Sequence, residues 1–180
     1  MSSITLITGF AGSGKSTVSK LLARQFPKCL HISVDTLREM MVSGQFTPND
    51  SWSEEGYRQF QLARTAALSM AVLYASQGVD VLIDDVCVPH MFAEHYAPLS
   101  TNPIARRVLL LPSRAAVLKR IQQRGGAWDH VLGNYIGEVY DYLEPMPKDG
   151  WIVLDTSDWT IDHTVSVVAS HVARPGWKSH

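Results

Sequence analysis

The chain has 180 residues, of which 46% are apolar, enough to bury a sizeable core, so a globular fold is expected and disorder is excluded. Sixteen basic residues stand against seventeen acidic ones, a net charge of −1, which argues against gripping long nucleic acid through a wide basic face. Cys29 and Cys87 sit in apolar stretches and read as small core residues rather than a disulfide framework, so a reducing, cytoplasmic setting is expected. No basic segment followed by a long apolar run is found at the start, and no apolar run approaches the roughly 18 residues that span a bilayer, so no membrane association is expected.

In chain order, Ile4–Thr8 reads as a buried strand. A helix follows the glycines after it, with Val18, Leu21, Leu22 and Phe26 on one face and Pro27 as its stop. Cys29–Ser33 is a second strand, and a short helix lies near Thr36–Met41. Ser43–Gly56 is polar and rich in turn formers, a loop in which Trp52 could either line a pocket or anchor on the core. A long helix runs from about Glu54 to Gln77, with Tyr57, Phe60, Ala63, Ala67, Met70 and Tyr74 as its expected inner stripe. GVDVLIDD is a buried strand ending in Asp84 and Asp85. IARRVLLLP is a strand whose Arg106 and Arg107 form a solvated start. SRAAVLKRIQQRGG is a helix capped by Ser113 and stopped by glycines. Further on come a helix at about His130–Leu143, the last strand GWIVLDTS, and a closing helix marked by Ile161, Val165, Val168 and Val172. Strands alternating with helices predict an α/β fold, a five-stranded parallel sheet with helices on both faces, as one domain over 1–180.

Gly9–Ser16, GFAGSGKS, fits G-x-x-x-x-G-K-[ST] between a strand and a helix. Gly9, Gly12 and Gly14 permit a path that turns backbone N–H groups inward, and the helix N-terminus adds positive potential. Gly9, Ala11, Gly12, Ser13, Gly14, Lys15, Ser16 and Thr17 are therefore the expected nucleotide-binding residues. Lys15 would reach the β- and γ-phosphates, Ser16 would ligate Mg²⁺, and Thr17 could contact the α-phosphate. Asp84 and Asp85, at the carboxyl end of a buried strand, are candidates to hold the same metal. The implied cofactors are a nucleoside triphosphate and Mg²⁺.

The use of the terminal phosphate must be read from the acceptor side. Asp35 lies just past the second strand, where ligands sit in such sheets, and Arg38 shares its helical face. Asp35 would accept a hydroxyl proton as the oxygen attacks phosphorus, and Arg38 would fix a neighbouring phosphate or polar group; a helix cap and a surface ion pair are the bland alternative. Arg120 and Arg124, four apart before two glycines, could ride on a small lid at about 120–135 and close over the triphosphate. No Asn-Lys-x-Asp motif is present and the third strand does not end in Asp-Glu, which weakens GTPase and motor readings. The histidines show no metal-ligand spacing, His90 and His95 included.

These parts resemble small P-loop kinases that phosphorylate hydroxyls. GFAGSGKST is similar to the loop of the bacteriophage polynucleotide 5′-hydroxyl kinase domain, whose Asp-x-x-Arg and paired lid arginines would correspond to Asp35 with Arg38 and to Arg120 with Arg124. VDTLREMM, LIDDV and VLDTSDWTIDHTVSVVASHV resemble segments of chloramphenicol phosphotransferase. The resemblance implies a three-layer P-loop kinase fold and ATP-dependent phosphoryl transfer to an alcohol, with Asp35 as base. A small-molecule hydroxyl is the expected acceptor. The 5′-hydroxyl of a nucleic acid is the alternative, and a regulatory nucleotide-binding module with slow hydrolysis is an alternative of another class.

Overall fold

The computed structural model describes residues 2–46, 53–125, 129–146 and 148–172. Five strands form one sheet in the order β2-β3-β1-β4-β5. They are β1 (Ile4–Thr8), β2 (Cys29–Ser33), β3 (Asp80–Asp85), β4 (Ala105–Leu110) and β5 (Ile152–Leu154), each parallel to its neighbours. The helices are α1 (Lys15–Ala23), α2 (Val34–Glu39), α3 (Glu54–Ser76), α4 (Pro89–Met91), α5 (Arg114–Arg124), α6 (Asp129–Leu143) and α7 (Ile161–Val172). This is the α/β architecture of the P-loop kinase fold.

Every residue of β1 and β3 is buried, which explains why both read as unbroken runs rather than alternating ones: helices cover the two faces. On one face, Val18 and Leu22 of α1 and Val165 and Val168 of α7 pack on Ile7, Leu82, Val108 and Leu110. On the other, α3 packs on Leu6, Val81 and Ile83. A third cluster joins α5 and α6 to Phe10 in the loop after β1.

Four expectations need correction. Tyr57 and Tyr74 are not on the inner stripe of α3, being 39% and 40% exposed; the buried face is Gln59, Ala63, Ala67, Ala71 and Ala75. Alanines at four-residue spacing form the seam with the sheet, and large rings take the flanks instead. The last strand stops at Leu154 because the Asp155 carboxylate accepts a hydrogen bond from the Ser157 amide, 2.9 Å, and turns the chain away. The short second helix starts earlier than expected because Ser33 caps it, accepting from the Thr36 amide at 3.4 Å. Arg107 is half-buried rather than fully solvated; its guanidinium carbon lies 5.4 Å from the ring centres of both Phe92 and Trp151.

Residues 86–99, for which the sequence offers no periodic signal, hold α4, a π-helical turn at Phe92–Tyr96 and a 3₁₀ turn at Ala97–Leu99. This segment buries Tyr96 and Leu99 under α3. Both cysteines are free thiols; burial pushes Cys29 up to about 12 and raises Cys87 well above the ordinary thiol range. Among the described residues, no helix is long and apolar enough to cross a membrane.

Candidate active site

β1 and β3 are neighbours, but the chain leaves them for opposite sides of the sheet, for β2 and for β4. The crevice beyond their carboxyl ends is the position at which open α/β sheets bind ligands. The Gly9–Ser16 turn lies there. Gly9, Gly12 and Gly14 have φ of 153°, 82° and 96°, and Gly14 caps α1. A Cβ on Gly9 would come within 2.5 Å of the Leu110 carbonyl oxygen and 2.6 Å of Ser13 Oγ. The turn thus crosses the end of β4 where no side chain fits.

Lys15 is only 6% exposed and has no ion-pair partner among the described residues. Ser13 Oγ is buried and likewise unpartnered there. Buried donors around a glycine turn at a helix N-terminus can receive a polyanion, so the residues present fit a nucleotide triphosphate. Gly9→Ala is expected to cost about 1–3 kcal/mol of strain, read as a Tm lower by roughly 2–12 °C. The same variant should lose nucleotide affinity in calorimetric titration; an unchanged Tm and affinity would show that the turn is not held as described.

The adjacent aspartates have separate roles because strand neighbours face opposite sides of a sheet. Asp84 faces α1: its Oδ1 accepts from Ser16 Oγ at 2.8 Å, and its Oδ2 meets His31 Nε2 of β2. Asp85 faces α3: its Oδ2 accepts from Arg64 Nε at 2.7 Å and from the Tyr96 hydroxyl at 3.2 Å. Arg64 also donates to the Val86 carbonyl, 3.1 Å. Burial raises the Asp85 carboxyl and Arg64 pulls against it; Asp35 pushes the same way as burial and Lys15 opposes. Asp85 is therefore bound into a buried ion pair and is not the carboxylate beside Ser16, so of the two expected metal ligands only Asp84 stands with that hydroxyl. Ser16 and Asp84 offer two oxygens to a hard cation, as Mg²⁺ requires.

The strand register brings the acceptor side to the same edge. Ser33 of β2 lies opposite Asp84, and Asp84 opposite Ile7 of β1. Asp35 follows two residues later in the first turn of α2 and is exposed. It is not the helix cap, which is Ser33, and no hydrogen bond or ion pair engages its carboxylate among the described residues. Arg38 does not pair with it. Arg38 is 8% exposed, donates from Nη1 to the Phe46 carbonyl at 2.6 Å, and places its guanidinium carbon 4.8 Å from the Phe60 ring centre. Arg64 approaches the same ring at 5.5 Å. Gln59 grips the loop from below, accepting from the Phe46 amide and donating to the Gly44 carbonyl, both 2.8 Å. Residues 47–52, Trp52 among them, lie outside the described residues.

Arg120 is engaged with the turn after β5, not with the glycine loop. Its Nη2 donates to the carbonyls of Thr156, 2.6 Å, and Ser157, 3.1 Å. The next residue, Ile121, packs where a Cβ on Gly12 would lie, at 3.0 Å. Arg124 is exposed at the end of α5, where Gly125 in the left-handed region (φ 63°) stops the helix. Of the expected lid, residues 126–128 lie outside the described residues. Sequence reasoning missed His31 and Arg64. A lone histidine in an apolar strand gives no signal, whereas an arginine one position after Ala63 of the seam points to a buried counterion.

A glycine turn of this build between a buried strand and a helix defines the class of P-loop nucleotide-binding α/β proteins. Residues 4–132 match the model of the AAA domain family AAA_33, and the chain belongs to that family. No curated protein matches the sequence. Among solved structures, the chain is similar to an unliganded sugar kinase from Janibacter sp. (18% identity, 100% of both chains covered, TM-score 0.70). It is similar to a shikimate kinase from Bacteroides thetaiotaomicron (18% identity, 96% of this chain and 99% of that one, TM-score 0.68). It is also similar to a gluconokinase from Sinorhizobium meliloti (18% identity, 97% and 93%, TM-score 0.63). At this identity the likeness establishes the shared fold.

Proposed function

We propose that this protein is a kinase that transfers the γ-phosphoryl group of ATP to a hydroxyl of a small molecule, with Asp35 as the general base. The observation that carries this reading is the exposed Asp35 carboxylate at the sheet edge bearing the glycine turn, without a partner among the described residues. ATP would supply the phosphoryl group, and Mg²⁺ would neutralise its developing charge. The amides of Gly9–Thr17 and the Lys15 ammonium would bind the phosphates, and Ser16 with Asp84 would hold the metal. Asp35 takes the acceptor's proton. Arg38 positions the acceptor loop through Phe46. Arg120 fixes α5 against the turn after β5, and Arg124 at its end supplies charge on the nucleotide side, the lid of this reading.

The neighbours named as sugar kinase, shikimate kinase and gluconokinase support a small-molecule acceptor. A nucleic-acid 5′ end fits less well, because the arginine that would meet its phosphate, Arg38, is buried and held by Phe46 and Phe60. The test is label transfer from γ-labelled ATP with Mg²⁺ to a pool of sugars, other small alcohols, nucleosides and antibiotics beside a 5′-hydroxyl oligonucleotide. Label on a small molecule is expected. Label on the oligonucleotide would change the acceptor class. Label only in free phosphate would leave a nucleotide hydrolase and sink the acceptor-side reading.

A further inference from the structure

We infer that His31 is a positioning residue for the metal-binding carboxylate, an inference that rests on the nucleotide and Mg²⁺ reading above. Asp84 is 1% exposed and its carboxylate is held from two sides: Oδ1 by Ser16 of α1, Oδ2 by His31 of β2. His31 lies opposite Leu82 in the register, two residues before Asp84, so its side chain and that of Asp84 lie on the same face of the sheet. The His31 side chain is itself only 16% exposed, which fixes the ring under the carboxylate. A carboxylate only accepts, so Nε2 carries the proton and donates. A carboxylate tied at a single oxygen could rotate about its last torsion, whose well is broad. With Oδ2 anchored, Oδ1 stays beside Ser16 Oγ, the oxygen that completes the cation's protein ligands. Outer contacts of this kind set metal affinity as well as orientation.

The test uses the whole chain with ADP and Mn²⁺, bound Mn²⁺ being read by electron paramagnetic resonance and ADP affinity being measured separately in EDTA. His31→Leu keeps bulk and removes the donor; His31→Gln places an amide donor at similar reach. His31→Leu is expected to weaken Mn²⁺ binding about 10–100-fold and to leave ADP affinity in EDTA unchanged, with His31→Gln recovering most of the loss. Unchanged Mn²⁺ affinity in His31→Leu overturns the inference. Equal loss in both variants overturns it too, because packing rather than hydrogen bonding would then be responsible. Loss of ADP binding in EDTA assigns His31 to the general integrity of the site and overturns the positioning role. Wild-type protein that binds ADP but shows no effect of these variants loses only this inference; wild-type protein that takes up neither ADP nor Mn²⁺ overturns the nucleotide reading itself.

Discussion

Asp35→Asn is expected to cut phosphoryl transfer by about 10²–10⁴-fold, the range that a positioned general base contributes, while nucleotide affinity stays at the wild-type level. The change is nearly isosteric and the side chain is exposed, so the fold has little reason to respond. Ser33, not Asp35, caps α2, so helix stability is also spared apart from a small term from the helix dipole. Steady-state kinetics should show the loss in kcat rather than in KM for ATP. Asp35→Asn that transfers phosphate normally, beside Lys15→Ala that transfers none, would show that the base lies elsewhere in the crevice.

The largest stability effect should come from Arg64. Arg64 and Asp85 are each 3% exposed, and guanidinium and carboxylate are joined at 2.7 Å and at a longer 3.4 Å contact. Arg64→Leu leaves a carboxylate buried with only the Tyr96 hydroxyl, and breaking such a pair from one side costs about 3–5 kcal/mol. Burial already pushes the Asp85 carboxyl up, so without Arg64 it should take a proton more readily, and the variant should lose more stability as pH rises. The sign follows from linkage: a carboxyl whose folded pKa exceeds its unfolded one stabilises below the unfolded value and loses that contribution as pH rises through the folded value. Replacing both residues, Arg64→Leu with Asp85→Asn, should recover part of the loss. Urea unfolding of the two single variants and the double variant gives the coupling directly. If Arg64→Leu were as stable as wild type at neutral pH, water or another donor must reach Asp85.

The order of strands and helices was legible because period and punctuation agree: glycines after β1, Ser113 before α5, Gly125 after it. The glycine turn was legible because its chemistry is local, all within Gly9–Ser16. What could not be read depends on pairing across elements. Asp84 and Asp85 are neighbours in sequence and look alike; only the opposite faces of β3 give one to Ser16 and the other to Arg64. The sequence suggests that Arg38 fixes a phosphate or polar group beside Asp35, yet its position depends on Phe46 and Phe60, eight and twenty-two residues on. Tyr57 and Tyr74 fall outside the inner stripe of α3 because the seam selects for size, whereas hydrophobicity alone favours tyrosine. The π-helical turn at Phe92–Tyr96 has no period that sequence reading could find.

The layout has a consequence for how such a protein can change its task. Asp35, Arg38, the Phe46 loop, Gln59, Phe60 and Arg64 all lie between β2 and β3, in one uninterrupted stretch of chain that leaves the sheet at its edge strand and returns next to it. The glycine turn, Lys15, Ser16 and the arginines of α5 lie outside that stretch. On the proposed function, substitutions accumulating in the stretch reshape the acceptor side while the phosphate-handling half is inherited intact. Asp84 and Asp85, on opposite faces of β3, look to one neighbourhood each, Asp84 to Ser16 and Asp85 to Arg64. The fold is thus divided into an exchangeable cassette and a fixed frame, and β3 is the hinge of descent between them.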